Sequence, residues 1–190
     1  MNLFIAWNSF SILEFLAVEK DCKDTYILID YIYNKDSFDN INNIVDICLK
    51  NGIFRELLTV KDLIYKEFDK LYCMSQVNNS LLDIIRIINY NELNLLEEGL
   101  SDYLENNFSE KQLCLYKNSN LYLNNKEDYN YVKNFRGVFQ IKYSKNLIDY
   151  YLKLFNFEVN SNIDLVLLTS PLNLDFKFNE YKDKIINFLE

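Results

Sequence analysis

Along the chain, unbroken apolar runs alternate with helical-period stretches. Asn2–Trp7 is almost wholly apolar, as expected of a buried strand. Asn8–Ser11 is small and polar, and Ser11 with Glu14 has the S-x-x-E spacing of a capping box. Phe10, Leu13, Leu16 and Ala17 then recur at helical spacing, so the chain opens strand, polar corner, helix. Thr25–Tyr33 reads as a second strand. Asp39–Lys50 reads as a helix with Ile41, Ile44, Val45 and Cys48 on one face, and Gly52 stands where a C′ glycine belongs. A strand over Ile53–Val60, a short helix over Lys61–Phe68 and a strand over Lys70–Met74 follow. Gln76–Ile88 is amphipathic, with Val77, Leu81, Leu82, Ile85 and Ile88 on one side and Asn78, Asn79, Asp83 and Arg86 mostly on the other. Leu93–Leu96 is again a strand, and it runs directly into Glu97-Glu98-Gly99.

This alternation predicts an α/β fold, a Rossmann-like parallel sheet flanked by helices on both faces. Ligands of such sheets bind beyond the carboxyl ends of the strands. Asn8-Ser9 and Glu97-Glu98-Gly99 both fall there, which makes Asn8, Ser9 and Gly99 candidate substrate-binding residues and Glu97 and Glu98 candidate catalytic acids. Ser101–Asn107 reads as a helical turn. Leu113–Tyr143 is less periodic, with short strands near Leu121–Leu123 and Val138–Ile141. Ser144–Phe155 reads as a helix with Leu147, Ile148, Tyr151 and Leu152 as its apolar face. After a linker at Val159–Asn162, Ile163–Thr169 is a strand that ends at Ser170-Pro171-Leu172, and Asn179–Leu189 is a helix. The expected organisation is therefore one domain over 1–158, with 159–190 forming the linker and the first strand and helix of a second Rossmann-like domain. A helix left without the rest of its domain would expose an apolar face and favour self-association, for instance as a homodimer.

Composition narrows the chemistry. With 49% hydrophobic and 25% charged residues, and with 15 Tyr and 14 Phe, the 190-residue chain can bury a substantial core. Its net charge is −8 and it has no cluster of Lys and Arg, which argues against nucleic acid and against adhesion to an anionic membrane. It contains no His, so Ser-His and Cys-His catalysis and His-ligated metals are excluded within it. Cys22, Cys48, Cys73 and Cys114 form no CxxC pair and read as buried free thiols of a reducing cytosol. Met1–Val18 lacks the basic start of a signal peptide and is interrupted by Asn8, Ser9, Ser11 and Glu14. No targeting or transmembrane segment is expected, and the location reads as cytoplasmic, peripheral to the inner membrane at most.

A carboxylate held within hydrogen-bond reach of a hydroxyl can act as a general base. In an extended segment adjacent side chains face opposite ways, so only one of Glu97 and Glu98 can take that part while the other orients the corner or binds a sugar hydroxyl. The residues alone do not choose between them, and two glutamates entering a surface turn are the plain alternative. No DxD-type cluster or third ligand accompanies the pair, so no metal is implied.

Three features together resemble the bacterial sialyltransferases of glycosyltransferase family 52, which act on lipooligosaccharide, and the related capsular polysialyltransferases. They are the opening Met1-Asn2-Leu3-Phe4-Ile5-Ala6 strand with its small polar corner and helix, the acid-acid-Gly motif Glu97-Glu98-Gly99, and the late Leu167-Leu168-Thr169-Ser170-Pro171 strand before a helix. The resemblance implies a GT-B arrangement of two Rossmann-like domains, with a glycan acceptor on the first and the nucleotide sugar CMP-sialic acid on the second. It assigns base chemistry to Glu97 and Glu98, and Ser170 could touch the nucleotide. No cofactor beyond the donor is implied. The family's His-Pro motif, which serves the departing phosphate, is absent. Leu172 stands where some members carry an Asp, which tilts the resemblance toward the polysialyltransferase branch. Asn8-Ser9-Phe10-Ser11 replaces the Thr-Pro-Leu-Gln corner common in the family. The expectation is an incomplete sialyltransferase that does not transfer sugar as this chain alone. The alternatives are a non-catalytic Rossmann-like module binding a sugar or a protein, and a glycosyltransferase of the same architecture using another nucleotide sugar.

Overall fold

The structure, a computed structural model, describes residues 1–30, 38–98, 108–126 and 135–156. All lie in the first of the two units into which the chain divides, Met1–Phe157. The expected elements at 101–107 and 159–189, with Gly99 and Ser170, lie outside these residues.

Among the described residues seven strands form one sheet, and every pairing in it is parallel. They are β1 (Asn2–Ala6), β2 (Thr25–Ile29), β3 (Glu56–Leu57), β4 (Glu67–Met74), β5 (Asn89–Leu96), β6 (Asn120–Leu123) and β7 (Gly137–Gln140). Their order across the sheet is β3-β2-β1-β4-β5-β6-β7, the doubly wound Rossmann order extended by one strand. The order reverses between β1 and β4, where successive connections run to opposite sides. The helices are α1 (Ser9–Val18), α2 (Phe38–Lys50), α3 (Val60–Leu63), α4 (Asn79–Ile87), α5 (Glu110–Tyr116) and α6 (Lys145–Leu154).

Strand side chains alternate between faces, so a strand covered on both sides must be apolar throughout. Leu3 and Ile5 of β1 enter one core with α3, α4 and α5 through Leu63, Leu82, Ile85 and Tyr116. Phe4 and Ala6 enter the other with α1, α2 and α6 through Ile12, Phe15, Val45 and Tyr151. Phe15 anchors the second core, stacked on Phe4 at 4.4 Å between ring centroids and edge-on to Tyr72 at 5.0 Å. Such aromatic pairs contribute about 0.5–1.5 kcal/mol beyond their burial.

The first helix is turned relative to the expected stripe. Its buried residues are Ser11, Ile12, Glu14 and Phe15, while Phe10 is 48% exposed. Its cap also differs: Asn8 is the N-cap and Ser11 closes the box, so Glu14 lies inside the helix and plays no part in capping. Nearly every position of this helix is apolar, so periodicity could not choose its inner face. Phe68, expected at the end of a helix, belongs to β4, and the expected third strand shrinks to the two residues of β3. α5 arises where no periodicity was legible. Its start is set by a capping box in which Ser109 and Gln112 each bond the other's backbone N–H. On α6 Tyr151 is buried but Ile148 is 39% exposed. No described helix is long and apolar enough to cross a membrane.

α2 ends as its sequence requires. Gly52 sits at φ +65°, Gly52 N–H donates to the Leu49 carbonyl at 3.0 Å, and Ile53 N–H reaches the Cys48 carbonyl at 2.9 Å, a Schellman motif. A Cβ at position 52 would meet nothing within 4 Å, so its penalty is purely that of the left-handed backbone. Gly52→Ala should therefore lower stability by about 1 kcal/mol, read as a reduced urea midpoint.

The cysteines are free, as expected, but not all are buried: Cys48 and Cys73 are, Cys22 is half-buried and Cys114 is exposed. Burial pushes the Cys48 and Cys73 thiols up to about 12, from an ordinary 9.0. The folded chain holds these protons where the unfolded chain releases them. Their contribution to stability is thus complete below the unfolded pKa and is lost as pH rises above it toward the folded value. Two such thiols should remove about 1.5 kcal/mol of stability by about pH 9.5 relative to neutrality. Urea titrations at the two pH values on Cys48→Ala and Cys73→Ala variants should show a correspondingly flatter loss.

Candidate functional site

Because the sheet is wholly parallel, the segments leaving β1, β2, β4, β5 and β6 meet along one edge. They bring Trp7-Asn8, Asp30, Ser75-Gln76, Glu97-Glu98 and Asn124 to the same side of the molecule.

The first corner is occupied with ending β1 and starting α1. Asn8 Oδ1 accepts the Ser11 N–H at 2.8 Å, and Ser11 Oγ accepts the Trp7 and Asn8 N–H groups at 3.1 and 3.2 Å. Ser9 receives the Tyr151 hydroxyl on its carbonyl at 2.5 Å, which ties α6 to the corner. Both candidate residues thus have structural work in the helix cap and in helix docking.

The acid corner is more unusual. Glu97 is only 8% exposed although it stands at the rim, whereas Glu98 is half-buried. The difference follows from the neighbouring strand: Asn124, the first residue past β6, donates its backbone N–H to Glu97 Oε2. The Asn124 side chain reaches across the sheet end and donates Nδ2–H to Glu14 Oε1 at 3.0 Å. Its Oδ1 accepts the Tyr143 hydroxyl at 2.7 Å. Glu14 is fully buried in the middle of α1. Asn124 therefore links two buried carboxylates from distant parts of the chain. Burial, and then the Glu14 and Glu97 carboxylates, push the Tyr143 phenol well above the ordinary tyrosine range, so it stays a neutral hydrogen-bond donor.

The structure thus joins Glu97 to the first strand-helix unit, but through Glu14 and not through Asn8 or Ser9. Glu14, Asn124 and Tyr143 are site residues that the periodicity did not mark. A signal for Glu14 existed, since it is the lone acid of the decapeptide SFSILEFLAV. An acid set in so apolar a helix is carried inward on almost any packing face. Asn124 and Tyr143 come from loops and carry no such mark.

Chemically, the arrangement offers a carboxylate fixed by a main-chain donor at the edge where Rossmann-like sheets take their ligands. A base so held keeps its orientation as a substrate arrives. Among the described residues no group of three or more His, Cys, Asp or Glu side chains is disposed to hold a metal ion. No protein-family model, no curated protein and no solved structure matches the chain.

Proposed function

We propose that the chain is the acceptor-side domain of a GT-B glycosyltransferase of the sialyltransferase type, moving sialic acid from CMP-sialic acid to a hydroxyl of a cell-surface glycan such as lipooligosaccharide or capsule. The observation that carries this reading is the buried Glu97, held by Asn124 at the carboxyl edge of a sheet in Rossmann order. The order of the opening strand, the acid-acid-Gly motif and the late Ser170-Pro171 segment supports it.

In this reaction the acceptor hydroxyl gives its proton to Glu97 as its oxygen bonds the anomeric carbon of the sialyl group. The bond from that carbon to the CMP phosphate oxygen breaks, and CMP leaves with the electron pair. The sugar passes through an oxocarbenium-like state, as in glycoside hydrolysis. Glu97 is favoured over Glu98 as the base because it is the more buried of the two and accepts the Asn124 main-chain N–H. Glu98, more open, binds or steers the acceptor. The segment Asn94–Gly99 itself carries no Lys, Arg or His, and charge for the departing phosphate is supplied from the donor side, with Ser170 a contact there. The test is sialyl transfer to an oligosaccharide by the complete gene product, and the loss of that transfer in the Glu97→Gln variant.

A further inference from the structure

Asn124 is held at each of its four polar groups. Its backbone N–H donates to Glu97 Oε2, and its Nδ2–H donates to Glu14 Oε1 at 3.0 Å. Its Oδ1 accepts the Tyr143 hydroxyl at 2.7 Å, and its carbonyl accepts Gln140 Nε2–H at 3.4 Å. Most side-chain hydrogen bonds go to backbone or water, whereas both ends of this amide go to other side chains.

Glu14 is the costliest of these partners. It is fully buried in α1 beside Ile12 and Phe15. A carboxylate is expensive to bury, and an apolar residue of similar size would fill the same space at less cost. Other residues already fasten the helix at both ends. Asn8 and Ser11 cap its start. At its far end Glu19 Oε2 accepts the Tyr72 hydroxyl at 2.6 Å and Lys70 Nζ–H at 3.1 Å, which ties the helix to β4. Between these two ties Glu14 Oε1 stands as a fixed acceptor. A side-chain amide gripped at both ends fixes the rotamer of its residue, and the rotamer is coupled to the backbone from which the N–H points. The line of contacts therefore runs from Glu14 through Asn124 to Glu97.

We propose that Glu14 is a positioning residue for Glu97, acting through Asn124. Removing the Glu14 acceptor frees the Asn124 amide to turn and loosens the Asn124 N–H from Glu97 Oε2. The Glu97 carboxylate then leaves the orientation that proton transfer needs. The effect on sialyl transfer rests on the transferase reading above, whereas the hold on Asn124 does not.

Two substitutions separate the hydrogen bond from the burial. Glu14→Gln keeps a neutral acceptor for Asn124 Nδ2–H, and Glu14→Leu, apolar and of similar size, keeps none. The first readout is the Asn124 backbone amide in proton–nitrogen correlation spectra of the 190-residue chain. Its exchange with solvent should be about fivefold or more faster in Glu14→Leu, with its proton signal moved upfield, and Glu14→Gln should fall between that variant and the parent. The second readout is kcat for sialyl transfer by the complete gene product. It should fall about tenfold or more in Glu14→Leu with little change in acceptor KM, and recover in part in Glu14→Gln. Gly52→Ala is the control, since it lowers stability at the end of α2 and leaves these contacts in place. Its Asn124 amide and its kcat should match the parent. Should Glu14→Leu fail to fold, the Asn124 amide of Glu14→Gln decides. An amide unmoved in the folded Glu14 variants, an equal displacement in Gly52→Ala, or an unchanged kcat where the amide has moved would overturn the proposal. A displaced amide without sialyl transfer by the parent gene product would leave the hold on Asn124 standing and remove the transferase reading. Transfer by the parent with an unmoved amide would do the reverse.

Discussion

Glu97→Gln in the complete gene product should reduce CMP release from CMP-sialic acid in the presence of an oligosaccharide acceptor by about 100-fold or more, the usual worth of a positioned general base. The substitution is nearly isosteric, and a glutamine carbonyl can still accept the Asn124 N–H that Glu97 accepts now. The fold should therefore survive, with a urea midpoint close to that of the parent. What disappears is the capacity to take a proton at neutral pH, so the loss should fall on kcat with little change in the KM for acceptor. Glu98→Gln, at the more open position, should change the rate only several-fold and act mainly on the acceptor KM. A purely structural role for Glu97 predicts the opposite split: an altered urea midpoint with an undiminished rate.

Asn124→Asp should be among the most destabilising single-atom-scale changes available at this edge, by about 3–5 kcal/mol at neutral pH. The aspartate can still accept the Tyr143 hydroxyl, but it cannot donate to Glu14 Oε1 as Asn124 Nδ2 does at 3.0 Å. It also sets a third carboxyl beside the buried Glu14 and Glu97. The loss is read from the urea midpoints of both proteins. Equal stability of the two proteins would contradict the linking role given to Asn124.

The fold was largely legible because both faces of the sheet are covered. Runs such as Leu3-Phe4-Ile5-Ala6 had to be wholly apolar, and their alternation with amphipathic segments such as Asn79–Ile87 pointed directly to a parallel sheet. Gly52 marked its helix end correctly because few residues other than glycine take a left-handed backbone at ease. The same apolar richness hid the inner face of α1, where hydrophobic residues occur all round the helix. The acids of the site were visible at Glu97-Glu98, since a polar pair at the end of an apolar run stands out. Their partners were not visible. Asn124 and Tyr143 act from 27 and 46 residues beyond Glu97, and only strand order brings them alongside. Glu14 was misread because S-x-x-E is a local pattern, whereas its burial is decided by packing against the rest of the molecule.

The most direct measurement is mass analysis of a galactose-terminated or sialic acid-terminated oligosaccharide after incubation with CMP-sialic acid and the complete gene product, parent and Glu97→Gln side by side. The account predicts an acceptor enlarged by one or more sialyl residues with the parent and essentially unchanged with the variant. Equal sialylation by both proteins would remove Glu97 from the chemistry, and no sialylation of any such acceptor by the parent would contradict the transferase reading itself.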